Sequence, residues 1–220
     1  MMLRKAAAWL FPRHCPICDR VLKNGWICRE CEKIPRPVAP PVCEKCGKHI
    51  RTPGQSLCYD CRKTIREFDR GFALYEYASI HDSISCFKNL GRPDYGEYYG
   101  RMMARRFGDE LIRLGAEALI PIPLHPDKES KRGYNQSEIL ANQISVYTKI
   151  PVENHLLVRP DRTAIQKELG RSERQNNMKK AFHIHRNDVK LKTVILVDDI
   201  YTTGSTIGAA AAVLRSVGGE

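Results

Sequence analysis

The sequence predicts an α/β protein in which a parallel sheet flanked by helices follows a small cysteine-rich zinc module. Eight cysteines fall in four Cys-x-x-Cys pairs within the first 61 residues. Further along, short apolar runs at 118–123 and 194–197 each precede a helical pattern, which is typical of buried parallel strands. We therefore divide the chain into a zinc module, residues 1–66, and an α/β domain, residues 67–220.

The charge of the chain is uneven. Its 220 residues carry a formal net charge of +11. Residues 1–66 hold 14 basic and 5 acidic side chains, a net +9, whereas residues 67–220 hold 22 and 20. Two zinc ions bound by eight thiolates would lower the charge of the first part to about +5. The zinc module stays basic, so we expect an anionic partner.

The first residues, 1–11, read MMLRKAAAWLF. They are too short to span a bilayer, and no small-residue cleavage site follows them. We expect a short helix packed on the protein, with a weak membrane-surface or partner contact as the alternative. No other run approaches the ~20 apolar residues of a membrane span. The sequence therefore predicts a cytoplasmic protein without a membrane span.

The cysteine pairs are separated by gaps of 9, 11 and 11 residues. Each pair can form a knuckle, and two knuckles complete a tetrahedral zinc shell. A disulfide framework would need an oxidising compartment, and a redox Cys-x-x-Cys occurs singly. The spacing allows sequential or interleaved shells, and we predict the sequential one. Its two sites are Cys15, Cys18, Cys28 and Cys31, then Cys43, Cys46, Cys58 and Cys61. Cys86 stands apart and is predicted to be a buried thiol.

The middle of the chain begins with a predicted strand over residues 68–78, where apolar and polar side chains alternate. Helical periodicity predicts amphipathic helices over 80–90 and 98–114. Lys88 lies near the end of the first helix. It either reaches a phosphate or is a solvated surface lysine.

A strand over 118–123 and a helix over about 137–148 come next. Asn135 or Ser137 can cap this helix. Between strand and helix, three residues occupy a position that suits an anion, since we expect a strand end to meet a helix start there. These residues are Lys131, Arg132 and Gly133.

The stretch 193–206 reads TVILVDDIYTTGST. Its apolar run predicts a buried strand, and Asp198 and Asp199 follow at the carboxyl end, where open parallel sheets bind ligands. A loop of small residues then leads into a helix over 207–217, so its backbone N–H groups suit a phosphate. Two adjacent carboxylates accept hydrogen bonds from a diol, so the predicted ligand is a ribose 5-phosphate. An acidic metal site at a strand end is the alternative. The phosphate-binding residues are Thr202, Thr203, Gly204, Ser205 and Thr206.

This stretch closely resembles the phosphoribosyl-pyrophosphate (PRPP) motif of type I phosphoribosyltransferases. The resemblance implies a type I phosphoribosyltransferase-like domain in which Asp198 and Asp199 bind the ribose hydroxyls. It implies Mg²⁺ bound with PRPP, bridging the pyrophosphate and the ribose. A second anion site is then needed for the pyrophosphate, and the 131–133 loop is the candidate. Arg132 joins the two aspartates as a predicted catalytic residue.

Three blocks resemble the ComF family of competence proteins: PIPLHP at 121–126, KRGYNQSEILA at 131–141 and TAIQKELGRSERQNNMKKAF at 163–182. The resemblance implies a double zinc ribbon and a role in natural competence, DNA uptake and transformation. Its implied partners are single-stranded DNA, a competence helicase and recombination-mediator proteins. Bases could stack on aromatic residues. The candidates are Trp26, Tyr59, Tyr95 and Tyr99.

Residues 159–192 carry 10 basic and 4 acidic side chains. The phosphoribosyltransferase resemblance implies a loop that closes over PRPP. A solvated surface loop and a nucleic-acid patch are the alternatives. Relatives usually have one more strand after the last helix, so we expect an open sheet edge here. Three functions follow: a phosphoribosyltransferase, a DNA-binding protein that uses this fold as a scaffold, and a PRPP-binding regulator without catalysis.

Overall fold

The computed structural model describes residues 12–52, 54–159, 181–185 and 191–217. The predicted helix over 1–11 and most of the basic stretch 159–192 lie outside these residues. So do all but the last two residues of the 163–182 block. The helices and strands are a 3-10 helix at Arg29–Cys31, α1 at Tyr59–Lys63, α2 at Tyr77–Asn89, α3 at Pro93–Arg113, β1 at Ala118–Pro121, α4 at Pro126–Arg132, α5 at Gln136–Thr148, β2 at Leu157–Val158, β3 at His183–Ile184, β4 at Val194–Val197 and α6 at Ser205–Val217.

The central strand of the domain is β1. It pairs in parallel with β4, with Ala118 opposite Val194 and Pro121 opposite Val197. On its other side Leu119 forms a parallel bridge with Val152. Because β1 is paired on both sides and buried throughout, the sheet is the parallel one that the apolar runs predict. Strands β2 and β3 form a separate antiparallel pair.

Two hydrophobic cores cover the two faces of β1. Leu119 is fully buried against residues of α2, α3 and α5. Ala118 and Ile120, which point the other way, pack with Phe182 and with Ala210 of α6. This alternation follows from the two-residue period of a strand. The predicted α/β class, a parallel sheet flanked by helices behind a zinc-ribbon module, is confirmed.

Helices α3 and α5 approach closely because glycines of α3 face α5. A Cβ atom at Gly96 would lie 2.6 Å from Ile139, and one at Gly100 would lie 2.5 Å from Gln143. Residues of both cores reach the outer edge of the sheet at β4. Strand β4 lines a cavity of about 970 Å³, and among the described residues no strand pairs with its outer edge.

One sequence prediction was wrong, and one helix was not predicted. The strand over 68–78 does not form. Only Tyr75 makes a bridge, to Pro37, and α2 already begins at Tyr77 because Ile80, Ile84 and Phe87 bury one helical face. The sequence also did not predict α4, a short helix that begins at Pro126 behind the capping His125. Within the described ranges, none of the helices has the length and apolar character needed to cross a bilayer.

Candidate functional site

The eight paired cysteines lie in two groups of four. In each group the sulfur atoms lie within 4.8 Å of one another, and the grouping is sequential. The Sγ atoms of Cys18 and Cys28 are 3.7 Å apart, as are those of Cys46 and Cys58. A tetrahedron with Zn–S bonds of ~2.3 Å has edges of about 3.8 Å, so both groups fit a zinc ion. Cys86 is half-buried and belongs to neither group.

The two groups belong to repeated units, which we call the first ribbon (residues 15–31) and the second ribbon (residues 43–61). The N–H of Cys15 donates to Arg20 O at 2.8 Å, and that of Cys43 donates to Lys48 O at 2.7 Å. The residue after each first knuckle has a left-handed backbone, with φ of 56° at Asp19 and 73° at Gly47. Cysteine spacing alone did not reveal this repeat, although both first knuckles show the same spacing.

Thiol acidity follows the repeat. Burial opposes ionisation of Cys15 and Cys43, but surrounding backbone N–H donors outweigh it and lower the pKa of each thiol to about 7. The first cysteine of each ribbon is therefore more readily ionised than an ordinary thiol. Zinc binds thiolates, so this backbone arrangement favours the metal-binding form.

The first ribbon contacts the corner between α2 and α3. The Asp19 carboxylate accepts hydrogen bonds from Arg92 Nη2 at 2.6 Å and from the Tyr95 hydroxyl at 2.7 Å. The N–H of His14 donates to Asp94 at 3.0 Å. Apolar residues of this ribbon, Ile17 among them, also pack against the main core. The first ribbon is thus fixed to the helices on one face of the sheet.

The second ribbon contacts the loop that follows β4. Its buried cysteines pack with Phe68 and Tyr201, whose rings meet edge-on with centroids 6.2 Å apart. Lys48 Nζ lies 2.6 Å from Asp60 Oδ2 and donates to Thr202 O at 3.1 Å. Among the described residues, the Tyr201 hydroxyl is buried without a hydrogen-bond partner. This ribbon therefore rests directly on the start of the 202–206 loop.

Asp198 and Asp199, the acidic pair, lie at the carboxyl end of β4 and next to cations and donors from other elements. Lys88 Nζ lies 3.0 Å from Asp199 Oδ1, and the Asp199 side chain is only 9% exposed. Ser137 Oγ donates to Asp198 Oδ1 at 3.3 Å. Lys88 is therefore a counter-ion of the acidic pair and not a solvated surface lysine. The alternative, that Lys88 reaches a phosphate, stays a prediction.

Burial and the neighbouring charge of Asp199 raise the pKa of Asp198 to about 7, although Lys88 and Ser137 oppose this. Asp198 therefore changes its charge near neutral pH, unlike an ordinary carboxyl group. Such a group is a usual feature of ligand sites. An incoming cation or hydroxyl donor would favour its ionised form.

The 202–206 loop is a tight turn at a glycine that leads into a helix. Gly204 has a φ of 77° and lies directly before Ser205, the first residue of α6. A Cβ atom there would lie 2.2 Å from the Tyr201 hydroxyl, so both backbone and space require glycine. Thr203 and Ser205 hydroxyls are 2.8 Å apart. The loop thus joins these hydroxyl groups to the N-terminal end of a 13-residue helix, where free N–H groups favour an anion.

The predicted pyrophosphate residues, 131–133, are placed differently from the prediction. Lys131 and Arg132 end α4, and Gly133 is its left-handed C-terminal cap. Backbone N–H groups of a helix start are therefore absent at this point, and the expected reason for anion binding there is wrong. Arg132 remains as a cation, and its Nη1 donates to Gln136 Oε1 at 2.8 Å. The cap at Asn135 is as predicted, since its side chain accepts from Ser137 N.

Two of the four aromatic residues suggested for base stacking are unsuitable. Tyr95 and Tyr99 are 1% and 3% exposed, because they belong to the core that α3 shares with α2. Trp26 lies between the guanidinium groups of Arg13 and Arg101, 3.9 Å and 4.1 Å from its ring. Tyr59 is 61% exposed, with Lys63 Nζ 4.6 Å from its ring centroid. Only Tyr59, in the second ribbon, offers an open ring.

Comparison with known proteins supports this description. A family model described as the double zinc ribbon domain matches residues 6–62. Competence protein F of Haemophilus influenzae is 39% identical over 106 residues, which are 47% of this chain and 46% of that protein. Competence protein ComFC of Bacillus subtilis is 32% identical over 108 residues, 46% of this chain and 39% of that protein. DNA utilization protein YhgH of Escherichia coli is 31% identical over 98 residues, 44% and 43% of the two chains.

These matches span less than half the length of each relative. No solved structure matches the chain. The relatives confirm the resemblance to the ComF family that the sequence motifs indicate. The domain boundary after residue 66 stays a prediction.

Proposed function

We propose that this chain acts in DNA uptake and processing during natural competence, and that it binds PRPP at the carboxyl end of β4. The names of its relatives support the first part. One observation carries the second part. The acidic pair is followed directly by the 202–206 loop at the start of α6, and Lys88 and Ser137 contact the pair. The thiolate-rich zinc module fits a reducing, cytoplasmic compartment.

In the proposed complex the 202–206 loop holds the 5-phosphate through its backbone N–H groups and hydroxyls. The acidic pair accepts hydrogen bonds from the two ribose hydroxyls. Mg²⁺ bound with PRPP would neutralise charge on the pyrophosphate. Lys88 is the counter-ion of Asp199 beside the bound ribose. Arg132 supplies further positive charge beside the leaving group.

We propose phosphoribosyl transfer as the chemistry of this site. The bond between the anomeric carbon and the pyrophosphate oxygen breaks, and the electron pair leaves with pyrophosphate. The nucleophilic atom of the acceptor forms the new bond to the anomeric carbon, and its proton passes to solvent. The developing positive charge on the ribose lies near the acidic pair, which stabilises it.

Calorimetric titration of zinc-loaded protein with PRPP and Mg²⁺ tests the site. We expect binding that needs Mg²⁺ and that is abolished in the Asp198→Asn/Asp199→Asn double variant. Asp82→Asn is the control, because Asp82 lies on α2 with a side chain that is 98% exposed. Unchanged affinity in the double variant would refute the assignment.

A second function, binding of single-stranded DNA, is favoured by the open ring of Tyr59 beside Lys63 on the basic zinc module. Stacking on an aromatic ring contributes about 1–3 kcal/mol per base. We expect Tyr59→Ala to weaken binding of a 5′-phosphorylated oligonucleotide, whereas Tyr77→Ala, also exposed, should not. Binding should weaken as salt rises. Binding of the oligonucleotide alone, without PRPP, would make the α/β domain a scaffold.

A further inference from the structure

We propose that Lys48 is a positioning residue for the 202–206 loop, and that the second ribbon sets how tightly this loop holds a phosphate. The first ribbon has no such effect on the loop. The phosphate part of this inference rests on the proposed function, whereas the positioning part concerns the free protein. The positioning part follows from the contacts of the Lys48 side chain with two distant parts of the chain, Asp60 and Thr202.

Lys48 is fixed at both ends to the second zinc shell. Its backbone carbonyl accepts from the N–H of Cys43 at 2.7 Å. Its ammonium group meets Asp60, which lies on α1 between the ligands Cys58 and Cys61, at 2.6 Å. The side chain is 30% exposed, so the pair is partly shielded from solvent. A folded second ribbon therefore gives the ammonium group one position.

From that position the ammonium group holds one peptide of the loop. Lys48 Nζ donates to the carbonyl of Thr202 at 3.1 Å. The peptide between Thr202 and Thr203 is trans, so the carbonyl and the following N–H point in opposite directions. The N–H of Thr203 is therefore directed away from the ribbon. A positive charge at the carbonyl also polarises the peptide and makes this N–H a stronger donor.

Tyr201 adds a second contact between ribbon and loop. Its ring packs with Phe68 and with the buried cysteines of the second ribbon, and Lys48 Nζ lies 5.6 Å from the ring centroid. The hydroxyl end of the same ring lies against Gly204. A shift of the ribbon would therefore move the loop at both Thr202 and Gly204.

The first ribbon contains the equivalent ion pair without the contact to the loop. Arg20 and Glu30 occupy the positions of Lys48 and Asp60 in the repeat, and their atoms are 2.9 Å apart. Both side chains are well exposed, 62% and 71%. Among the described contacts, this pair reaches no other element. Arg20 is therefore a matched control for Lys48, with the same charge and the same place in the ribbon.

The test compares Lys48→Met, Lys48→Arg and Arg20→Met in the full zinc-loaded chain. Two quantities are measured: the affinity for PRPP with Mg²⁺ by calorimetry, and hydrogen exchange of the 202–206 amides without ligand. We expect Lys48→Met to bind PRPP about tenfold more weakly, since it loses a charge-assisted hydrogen bond that orients a donor. Its loop amides should exchange faster. Lys48→Arg should recover most of both, and Arg20→Met should match the wild type.

Each outcome decides between the claims. Faster exchange in Lys48→Met, with no PRPP binding by any variant, would support positioning and remove the proposed function. PRPP binding that Lys48→Met leaves unchanged would keep the function and overturn the inference. Zinc content is measured in every variant. Loss of a zinc ion from Lys48→Met would also overturn it, because Lys48 would then be a structural residue of the ribbon.

Discussion

The first and second ribbons have the same internal plan but contact the rest of the protein differently. Both contain an ion pair between a residue after the first knuckle and a residue within the second. The first ribbon meets the protein through Asp19, whose carboxylate binds Arg92 and Tyr95. The second meets it through the backbone at Gly47 and the side chain of Lys48. A repeated metal unit can thus keep its fold while its two copies take different roles.

The difference concerns the two ends of the candidate ligand site. The first ribbon fixes the α2–α3 corner, and Lys88, near the end of α2, pairs with Asp199. The second ribbon fixes the 202–206 loop. In the proposed PRPP complex, the first ribbon is therefore associated with the ribose end and the second with the phosphate end. Substitutions at equivalent positions of the two ribbons can separate these contributions.

The largest effect is expected at Gly47. A Cβ atom there would lie 2.6 Å from Gly71 O, and the backbone is left-handed. We expect Gly47→Ala to lower the free energy of unfolding by about 3–5 kcal/mol, from backbone strain and overpacking together. Chemical denaturation measures it. Gly25→Ala is the control, because its φ is 83° but the nearest atom is 3.8 Å away. Equal losses in both variants would show that contact with Gly71 is unimportant.

The contribution of the acidic pair to the free energy of unfolding should depend on pH, since the pKa of Asp198 is raised in the folded state. A raised carboxyl pKa stabilises the fold at low pH, and this contribution is lost as pH rises from about 4 to the folded-state value. Asp198→Asn removes the dependence. We expect it to raise the free energy of unfolding by roughly 2 kcal/mol at pH 8, and by less at pH 6. A gain independent of pH would contradict this assignment.

Docking of the first ribbon should depend moderately on Asp19. Asp19→Asn keeps a side chain that tolerates the left-handed backbone but removes the charge facing Arg92. We expect the free energy of unfolding to fall by about 1 kcal/mol, because the Tyr95 hydroxyl loses its best acceptor. Thermal unfolding at constant zinc content measures the change. No change would mean that Ile17 and its apolar neighbours fix this ribbon unaided.

The smallest effect is expected at the exposed ion pair of the first ribbon. Arg20→Met should leave the midpoint of thermal unfolding unchanged, because solvent-exposed pairs contribute little. Differential scanning calorimetry is sufficient to test it. A clear fall would mean that the pair stabilises the first zinc shell, and the two ribbons would then be less different than their contacts indicate.

Sequence patterns predicted the elements that depend on local chemistry. The strand at Val194–Val197, the acidic pair after it and the glycine loop follow from one short stretch. The four-cysteine groups follow from knuckle spacing. Near residue 77, apolar alternation and helical period compete, and burial of Ile80, Ile84 and Phe87 decided for the helix.

Contacts between distant parts of the chain could not be predicted. In the sequence nothing distinguishes Lys88 or Ser137 as a partner of the acidic pair. Their contacts with Asp199 and Asp198 appear only in the folded domain. One sequence signal indicates the ion pair of Lys48. Aligning the two ribbons places Lys48 opposite Arg20 and Asp60 opposite Glu30. That alignment shows the ion pair but not the third partner. The carbonyl of Thr202 is 154 positions away, and its direction depends on a single peptide.

This long separation has a consequence for how the protein matures. Each ribbon closes between residues near in sequence once metal arrives, whereas joining Lys48 to Thr202 closes most of the chain into one loop, which costs more entropy. We expect this contact to form late and to be the first lost when metal is scarce. A cell short of zinc would then hold chains with an intact sheet and a loose 202–206 loop. The capacity to bind the ligand would then depend more strongly on zinc supply than the amount of folded protein does.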